Sequence, residues 1–356
     1  MFDRIYVCHT FYHVYVSMLK EMAIPKETRG TAVMCLSMMS TDFKGLPERL
    51  KKSQFFADVV MFDERRDTDF PELMVLREEQ GNIVKNMLAR IKYTKKYAEI
   101  EERFIPVDFR DFKDIYVYCD SDPIGFYLNQ NHIKYHAVED GLNTIVNFDQ
   151  AHYENRGHFK LKAFMSKKLN LIFVSNGYGK YCKDMEVNDI SLIKIPSKYY
   201  VEVSRKELFN RLTKEDKEIL LSVFVSDIEK LKSQIEDGKK YEKKILILTD
   251  PLCTLDVREQ IFRDLIDEYK DEGQVFLKIH PRDVLDYAGI FPEIPQFEGQ
   301  IPMEMLNFFP DLHFNKCIGV FTELKAIQFA DECIRLGPDF MDKYETPEIH
   351  RQNEAI

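Results

Sequence analysis

The sequence predicts an α/β protein of two tandem domains, each a parallel sheet wrapped by helices. Three observations carry this expectation. At 356 residues the chain exceeds what one hydrophobic core usually organises, so two domains are expected. Short runs rich in Val, Ile, Tyr and Phe alternate with helix-length segments. Those runs lack clear in/out alternation, as strands covered on both faces do.

In order, strands are expected at residues 4–10, 31–39, 57–63, 114–120, 133–140 and 171–176. With helices between most of them, residues 1–200 form a Rossmann-like domain. Residues 205–244 are charged and carry Leu and Ile at helical spacing, so 201–242 is expected as a helical lead-in that stops at Asp237-Gly238. Strands resume at 243–250, 274–280, 316–322 and 333–337, a second Rossmann-like domain over 243–337. The tail, 338–356, has helix and turn character and is expected to pack back toward the first domain.

Composition narrows the function. With 45% hydrophobic and 31% charged residues, and 14 each of Gly and Pro, the chain is neither disordered nor repetitive. A net charge of −10 argues against general nucleic-acid binding, so any anion site is built locally. Seven scattered cysteines with no C-x-x-C pair suggest reduced, packed thiols in a cytoplasmic protein. The first residues lack the charge pattern of a signal peptide, and no run of about 18 apolar residues could span a bilayer.

Neither G-x-G-x-x-G nor G-x-x-x-x-G-K-[ST] occurs. Ligands of parallel sheets bind outside the carboxyl ends of strands, so chemistry-bearing residues are expected there. The first expected strand leads into His9, Thr10, Tyr12 and His13; the fourth into Asp120-Ser121-Asp122-Pro123; the fifth into Glu139-Asp140-Gly141-Leu142-Asn143. The second domain offers Thr249-Asp250-Pro251 with Asp256 after it, His280-Pro281-Arg282, and Phe321-Thr322-Glu323. All are expected to face one inter-domain cleft. Simpler roles compete with catalysis. Glu139-Asp140-Gly141 suits a strand-to-turn junction, Asp120 and Asp122 suit helix caps before Pro123, and His9 and His13 suit packing or gating. Thr322 suits an N-cap for a helix from Glu323, a position that still offers N–H groups to a phosphate. His280 stands apart because Lys278 and Arg282 flank it. A histidine of near-neutral pKa there can give a proton or hydrogen bond to a departing phosphate.

Glu139-Asp140-Gly141 and His280-Pro281 resemble the two short motifs shared by bacterial GT-B sialyltransferases. Their spacing, the context KIHPRD and the chain length are most similar to glycosyltransferase family 52, which includes lipooligosaccharide and capsular sialyltransferases. The tandem α/β outline fits GT-B, although epimerases and periplasmic binding proteins share such outlines. The resemblance implies inverting, metal-independent transfer of sialic acid from CMP-sialic acid to a terminal sugar of a surface glycan. It implies no cofactor; the partners are a nucleotide-sugar donor and a glycan acceptor, and a homodimer is expected. The base is Asp256 by analogy with family 52, or Glu139 or Asp140 by analogy with other bacterial sialyltransferases. His280 stabilises the leaving phosphate, with Gly141, Thr249, Lys278, Pro281, Arg282 and the helix start at Pro302, Met303 and Glu304 on the donor side. Thr322 stands alone where the group carries a serine-rich motif, a departure that bears on donor identity. Thr10, Tyr12 and His13 fall on the acceptor side. Asp120-Ser121-Asp122 has the D-x-D form and leaves a divalent ion open. Two rival readings are a GT-B enzyme using another nucleotide sugar and a catalytically silent binding protein.

Residues 152–171 interleave Arg156, Lys160, Lys162, Lys167 and Lys168 with Phe159, Leu161, Phe164 and Met165. They read either as a solvated basic helix with one core face or as a peripheral contact with the inner membrane face, where a lipid-linked acceptor would lie.

Overall fold

The computed structural model describes residues 2–141, 150–322, 324–325 and 327–346. Two compact units divide the chain at Leu212/Thr213. The first contains a seven-stranded sheet in the order β3-β2-β1-β4-β5-β6-β7. Its strands are β1 Phe2–Cys8, β2 Ala32–Ser37, β3 Asp58–Phe62, β4 Phe112–Tyr118, β5 Tyr135–Val138, β6 Cys182–Val187 and β7 Tyr200–Glu202. The second contains β8 Lys244–Leu248, β9 Gln274–Lys278, β10 Gln296–Phe297, β11 Phe314–Gly319 and β12 Ala330–Arg335 in the order β10-β9-β8-β11-β12.

Each strand pair is parallel. The central strands show why: every residue of β2 is buried, as is Ile5–Cys8 of β1, which requires helices on both faces. Ile5, Val7, Val33, Cys35, Val117 and Leu128 knit one core; Ile245, Ile247, Phe262, Leu265, Leu277 and Ile318 knit the other. Chain order reverses between β1 and β4 and again between β8 and β11. Such switch points open a crevice at the carboxyl ends.

Several expected elements differ. Residues 171–176 form no strand. Left-handed Asn170 (φ 55°) and Asn176 (φ 57°) bracket them, and two of their N–H groups go to side chains: Val174 donates to Ser166 Oγ (3.1 Å) and Asn176 to Asp120 Oδ1 (2.9 Å). Ile172 and Val174 are nonetheless buried, so an apolar connector resembled a strand. The sheet instead continues through the less apolar β6 and β7, and β10 is a further strand that the sequence reading did not anticipate.

The lead-in is three helices, Arg205–Asn210, Lys214–Phe224 and Ile228–Gly238, and the unit boundary falls after the first of them. A reciprocal cap between Thr213 and Asp216 starts the second unit. Ile228–Gly238 docks there through Leu231 and Ile235, and Gln234 donates to the Gln296 carbonyl (3.0 Å). Of the tail expected to return to the first domain, the described residues Phe340, Met341 and Tyr344 join the second unit's core, and residues 347–356 lie outside the described residues. Among the described residues no helix starts directly after Thr322: residues 324–325 and 327–329 are not helical. Leu142, Asn143 and Glu323 lie outside the described residues.

Candidate functional site

Four strand ends of the first unit converge on two buried histidines. His9 follows β1 and His13 lies in the first turns of the helix Phe11–Met22. His9 Nε2 lies 2.7 Å from Glu64 Oε2, just past β3, and 3.5 Å from Asp122 Oδ2, past β4. Glu64 also accepts the Ser37 hydroxyl (2.6 Å) at the end of β2 and the Ile124 N–H (2.9 Å). His13 Nδ1 accepts the His9 backbone N–H at 3.0 Å, so the neutral ring carries its proton on Nε2, 2.5 Å from Asp140 Oδ1 past β5. Tyr118 stacks on the same ring at 4.4 Å and 12°. The imidazole is thereby fixed in plane, tautomer and partner. His13 is wholly buried, while a third of the Asp140 side chain is accessible.

The charges follow from this packing. Burial pulls the His9 pKa down, but the Glu64 carboxylate outweighs it and raises the value to about 9. Burial lowers His13 despite Asp140. Burial raises Asp122 to about 7, against the pull of His9. The network keeps one imidazole charged and the other neutral.

Glu139 points elsewhere. It is fully buried, its pKa raised by burial and opposed by Arg205, whose Nη2 lies 3.9 Å away. Of the acidic pair, Asp140 is the residue that reaches solvent. Gly141 follows at φ 132°, a conformation that only glycine adopts without strain. Thr10 accepts the His13 N–H as helix cap (3.3 Å), and Tyr12 is half-buried. Asp120 is buried, accepts the Asn176 N–H (2.9 Å) and the Tyr135 hydroxyl (3.1 Å), and is raised to about 6 by burial. Asp120 and Asp122 thus serve separate partners. His9, His13 and Cys119 offer ligand atoms within 4.8 Å of one another. Both His13 nitrogens are engaged and burial keeps the Cys119 thiol protonated. A cation could take all three only by displacing those bonds.

The second unit brings together the ends of β8, β9 and β11. Thr249 Oγ1 accepts the His280 N–H (2.8 Å). Buried Asp250 accepts the Phe321 N–H (3.1 Å) and the Thr322 hydroxyl (2.9 Å), while burial raises its pKa. Thr322 therefore binds a neighbouring strand end and caps no helix. His280 Nδ1 accepts the Arg282 N–H (3.1 Å), which leaves the ring proton on Nε2. The sequence suggested a near-neutral His280. Burial, with the Arg282 and Lys278 charges, instead holds its pKa at about 4, so it is a neutral hydrogen-bond donor at pH 7.

Lys278 is buried and donates to the carbonyls of Ile279 (2.9 Å) and Gly299 (3.4 Å); burial lowers its pKa to about 7, countered by Glu304. Its positive charge is occupied inside the fold, whereas Pro281 and Arg282 are exposed. Pro302 caps a short 3-10 helix, Met303–Phe308, and burial raises the pKa of Glu304 within it. Asp256 sits in the first turn of the helix Leu255–Tyr269, exposed, its pKa lowered by Thr254 and by the N–H groups of Val257 and of Asp256 itself. Those are the marks of a carboxylate that stabilises the first turn of a helix.

Sequence reasoning missed the residues behind the site. Glu64 supports His9, and only its place just after a strand hinted at a role. Arg258 is buried, bonds Asp283 Oδ1 (2.6 Å) and the carbonyls of Leu252 (2.7 Å) and Cys253 (3.1 Å), and so braces the His280–Asp283 turn. Tyr287 adds a bond to Asp283 Oδ2 (2.8 Å). No local pattern announces a partner 25 residues away.

Residues 57–324 match the family model of glycosyltransferase family 52. An uncharacterized protein of Haemophilus influenzae is 26% identical over 198 residues, 53% of this chain and 57% of that one. The chain thus spans just over half the length of that curated relative. Among solved structures, an alpha/beta-galactoside alpha-2,3-sialyltransferase from Photobacterium phosphoreum aligns with a TM-score of 0.51 and 14% identity, over 89% of this chain and 86% of that one. The GT-B domain of a sialyltransferase from Photobacterium damselae aligns at 0.50 and 12% identity, over 92% and 88%. At these identities the likeness concerns the fold, and that fold is GT-B.

Proposed function

The chain belongs to glycosyltransferase family 52, and from that premise we propose that it transfers sialic acid from a CMP-activated donor to a terminal sugar hydroxyl of a surface glycan, with inversion and without a metal ion. The observation that carries this reading is the state of His280. Neutral, with its proton on Nε2 and Arg282 beside it, this ring is suited to donate to the phosphate oxygen that gains charge as the glycosidic bond breaks.

The acceptor needs a proton acceptor. Of the three candidates, Asp256 is a first-turn helix carboxylate of lowered basicity and Glu139 is enclosed, so Asp140 is assigned as the base. Its carboxylate takes the acceptor proton as the acceptor oxygen bonds to the anomeric carbon and the carbon–phosphate oxygen bond leaves with its electrons on CMP. His13 holds that carboxylate in place.

Calorimetric binding of CMP, UDP, GDP and CDP, with and without EDTA, tests the donor. CMP-selective binding that persists in EDTA and weakens about tenfold or more in His280→Ala is expected. Selectivity for another nucleotide would replace the donor, and no binding to any would remove the transferase role of the second unit's strand ends.

A further inference from the structure

We propose that the face made by the helix Ile83–Glu101 and the segment 159–169 docks on the surface of an anionic lipid bilayer. Large apolar side chains stand exposed there: Ile83 (68%), Val84 (65%) and Leu88 (54%) on the helix, Leu161 (55%) and Phe164 (52%) on the segment. The two elements are neighbours. Met87 and Ile91 pack with Phe159 and Met165 around Ala151, Ile172 and Val174, and Arg90 donates to Asn155 and to the Phe173 carbonyl. Val84 and Leu88 lie three residues before Met87 and Ile91, beside that seam. Helical rotation sets Lys85, Lys92 and Lys95 on the same arc as Val84 and Leu88.

Charge identifies the occupant. The chain carries a net charge of −10, yet no Asp or Glu occurs between Gly81 and Ala98 or between Asn155 and Lys183. Lys85, Lys92, Lys95, Lys160 and Lys168 are exposed, and none forms an ion pair among the described residues. Of the bordering acids, Glu79 accepts the Gly81 N–H and the Asn86 amide, Glu154 sits near Arg90, and exposed Glu99 closes the run toward the end of the helix. Exposed apolar side chains ringed by unpaired lysines suit lipid headgroups, where the chains enter the acyl boundary and the ammonium groups meet phosphate. A nucleic acid would leave Ile83, Val84 and Leu88 unused. A second copy in an isologous contact would set these lysines against their own images. Among the described residues no helix is long and apolar enough to cross a membrane, so the contact is lateral. The face deepens the proposed function by naming a bilayer-anchored glycan as acceptor, and only that assignment rests on the transferase reading.

Flotation of the full chain with phosphatidylcholine vesicles, with and without phosphatidylglycerol, tests the docking. Wild type is expected to bind the anionic vesicles roughly tenfold or more better, and Lys85→Glu/Lys92→Glu/Lys160→Glu to lose that preference. Val84→Ser/Leu88→Ser/Phe164→Ser keeps attraction at low salt and detaches in high salt, where electrostatics is screened. Equal binding to both vesicle types, or binding that neither variant changes, overturns the proposal. So does a dimer in the absence of vesicles that the serine variant dissociates. CMP binding by both variants is expected to equal wild type, so a failed donor reading and a failed docking face give different results.

Discussion

In the first unit the strand ends gather carboxylates around two buried imidazoles; in the second, N–H groups and a hydroxyl surround buried Asp250, and a neutral imidazole, His280, follows β9. Glu64, Asp122 and Asp140 face His9 and His13, and Asp140 keeps access to solvent. Asp250, by contrast, spends its oxygens on Phe321 and Thr322 and ties β8 to β11. The difference teaches that one topology serves opposite ends. A parallel sheet supplies a crevice at the switch point, and the residue types placed there decide whether it offers a proton acceptor or hydrogen bonds to an anion.

Changing the exposed member of the acidic pair is the strongest way to break this contrast. Asp140→Asn is expected to lower turnover about a thousandfold with CMP binding retained, whereas Glu139→Gln acts mainly on stability. Unchanged turnover in Asp140→Asn would strip the first unit of its proton-accepting role. In the second unit, Arg258→Met leaves the fully buried Asp283 side chain without its cation, and a loss of ~3 kcal/mol in chemical denaturation is expected. A loss near zero would show that the His280–Asp283 turn needs no brace.

His13→Phe keeps an aromatic ring to stack on Tyr118 and removes the bond to Asp140. A fall of about 10-fold to 100-fold in kcat with KM unchanged, and a shifted acid limb of the pH profile, are expected, with His13→Gln recovering part. A change confined to melting temperature would make His13 a packing residue. The smallest effect sharpens the contrast through pH. The folded pKa of His9, about 9, lies above its ordinary 6.5. Its stabilisation is therefore full below pH 6.5, declines as pH rises and is gone beyond about 9. Glu64→Gln should flatten that decline in melting temperature against pH.

Much of this was legible in the sequence because strand ends are written locally. DIYVYCD and QVFLKIH announce a buried strand and the polar residues it delivers, so the placement of His9, Asp140, Thr249 and His280 just past strand ends was legible. What was not legible depends on distant partners. The role of Glu64 is set by His9, 55 residues before it, and the pKa of His280 is set by burial that no string of letters contains. LIFVSN has a strand's composition, but left-handed Asn170 and Asn176 bracket it, and the Ser166 hydroxyl and the Asp120 carboxylate accept the N–H groups of Val174 and Asn176. CKDMEV is polar enough to read as a loop, yet completes the ladder beside β5.

The wholly parallel ladders also set a clock. Arg4 of β1 pairs with Asp114 of β4, so during synthesis at ~5–20 residues per second β1 waits about 5–20 s for that neighbour to be made. No hairpin shortens the interval, since parallel partners need a crossover between them. Throughout it the unpaired edge of β1, whose Ile5–Cys8 run is buried in the folded unit, is open to other chains, which makes crowded, rapid expression at high temperature the condition under which this protein is most exposed to aggregation.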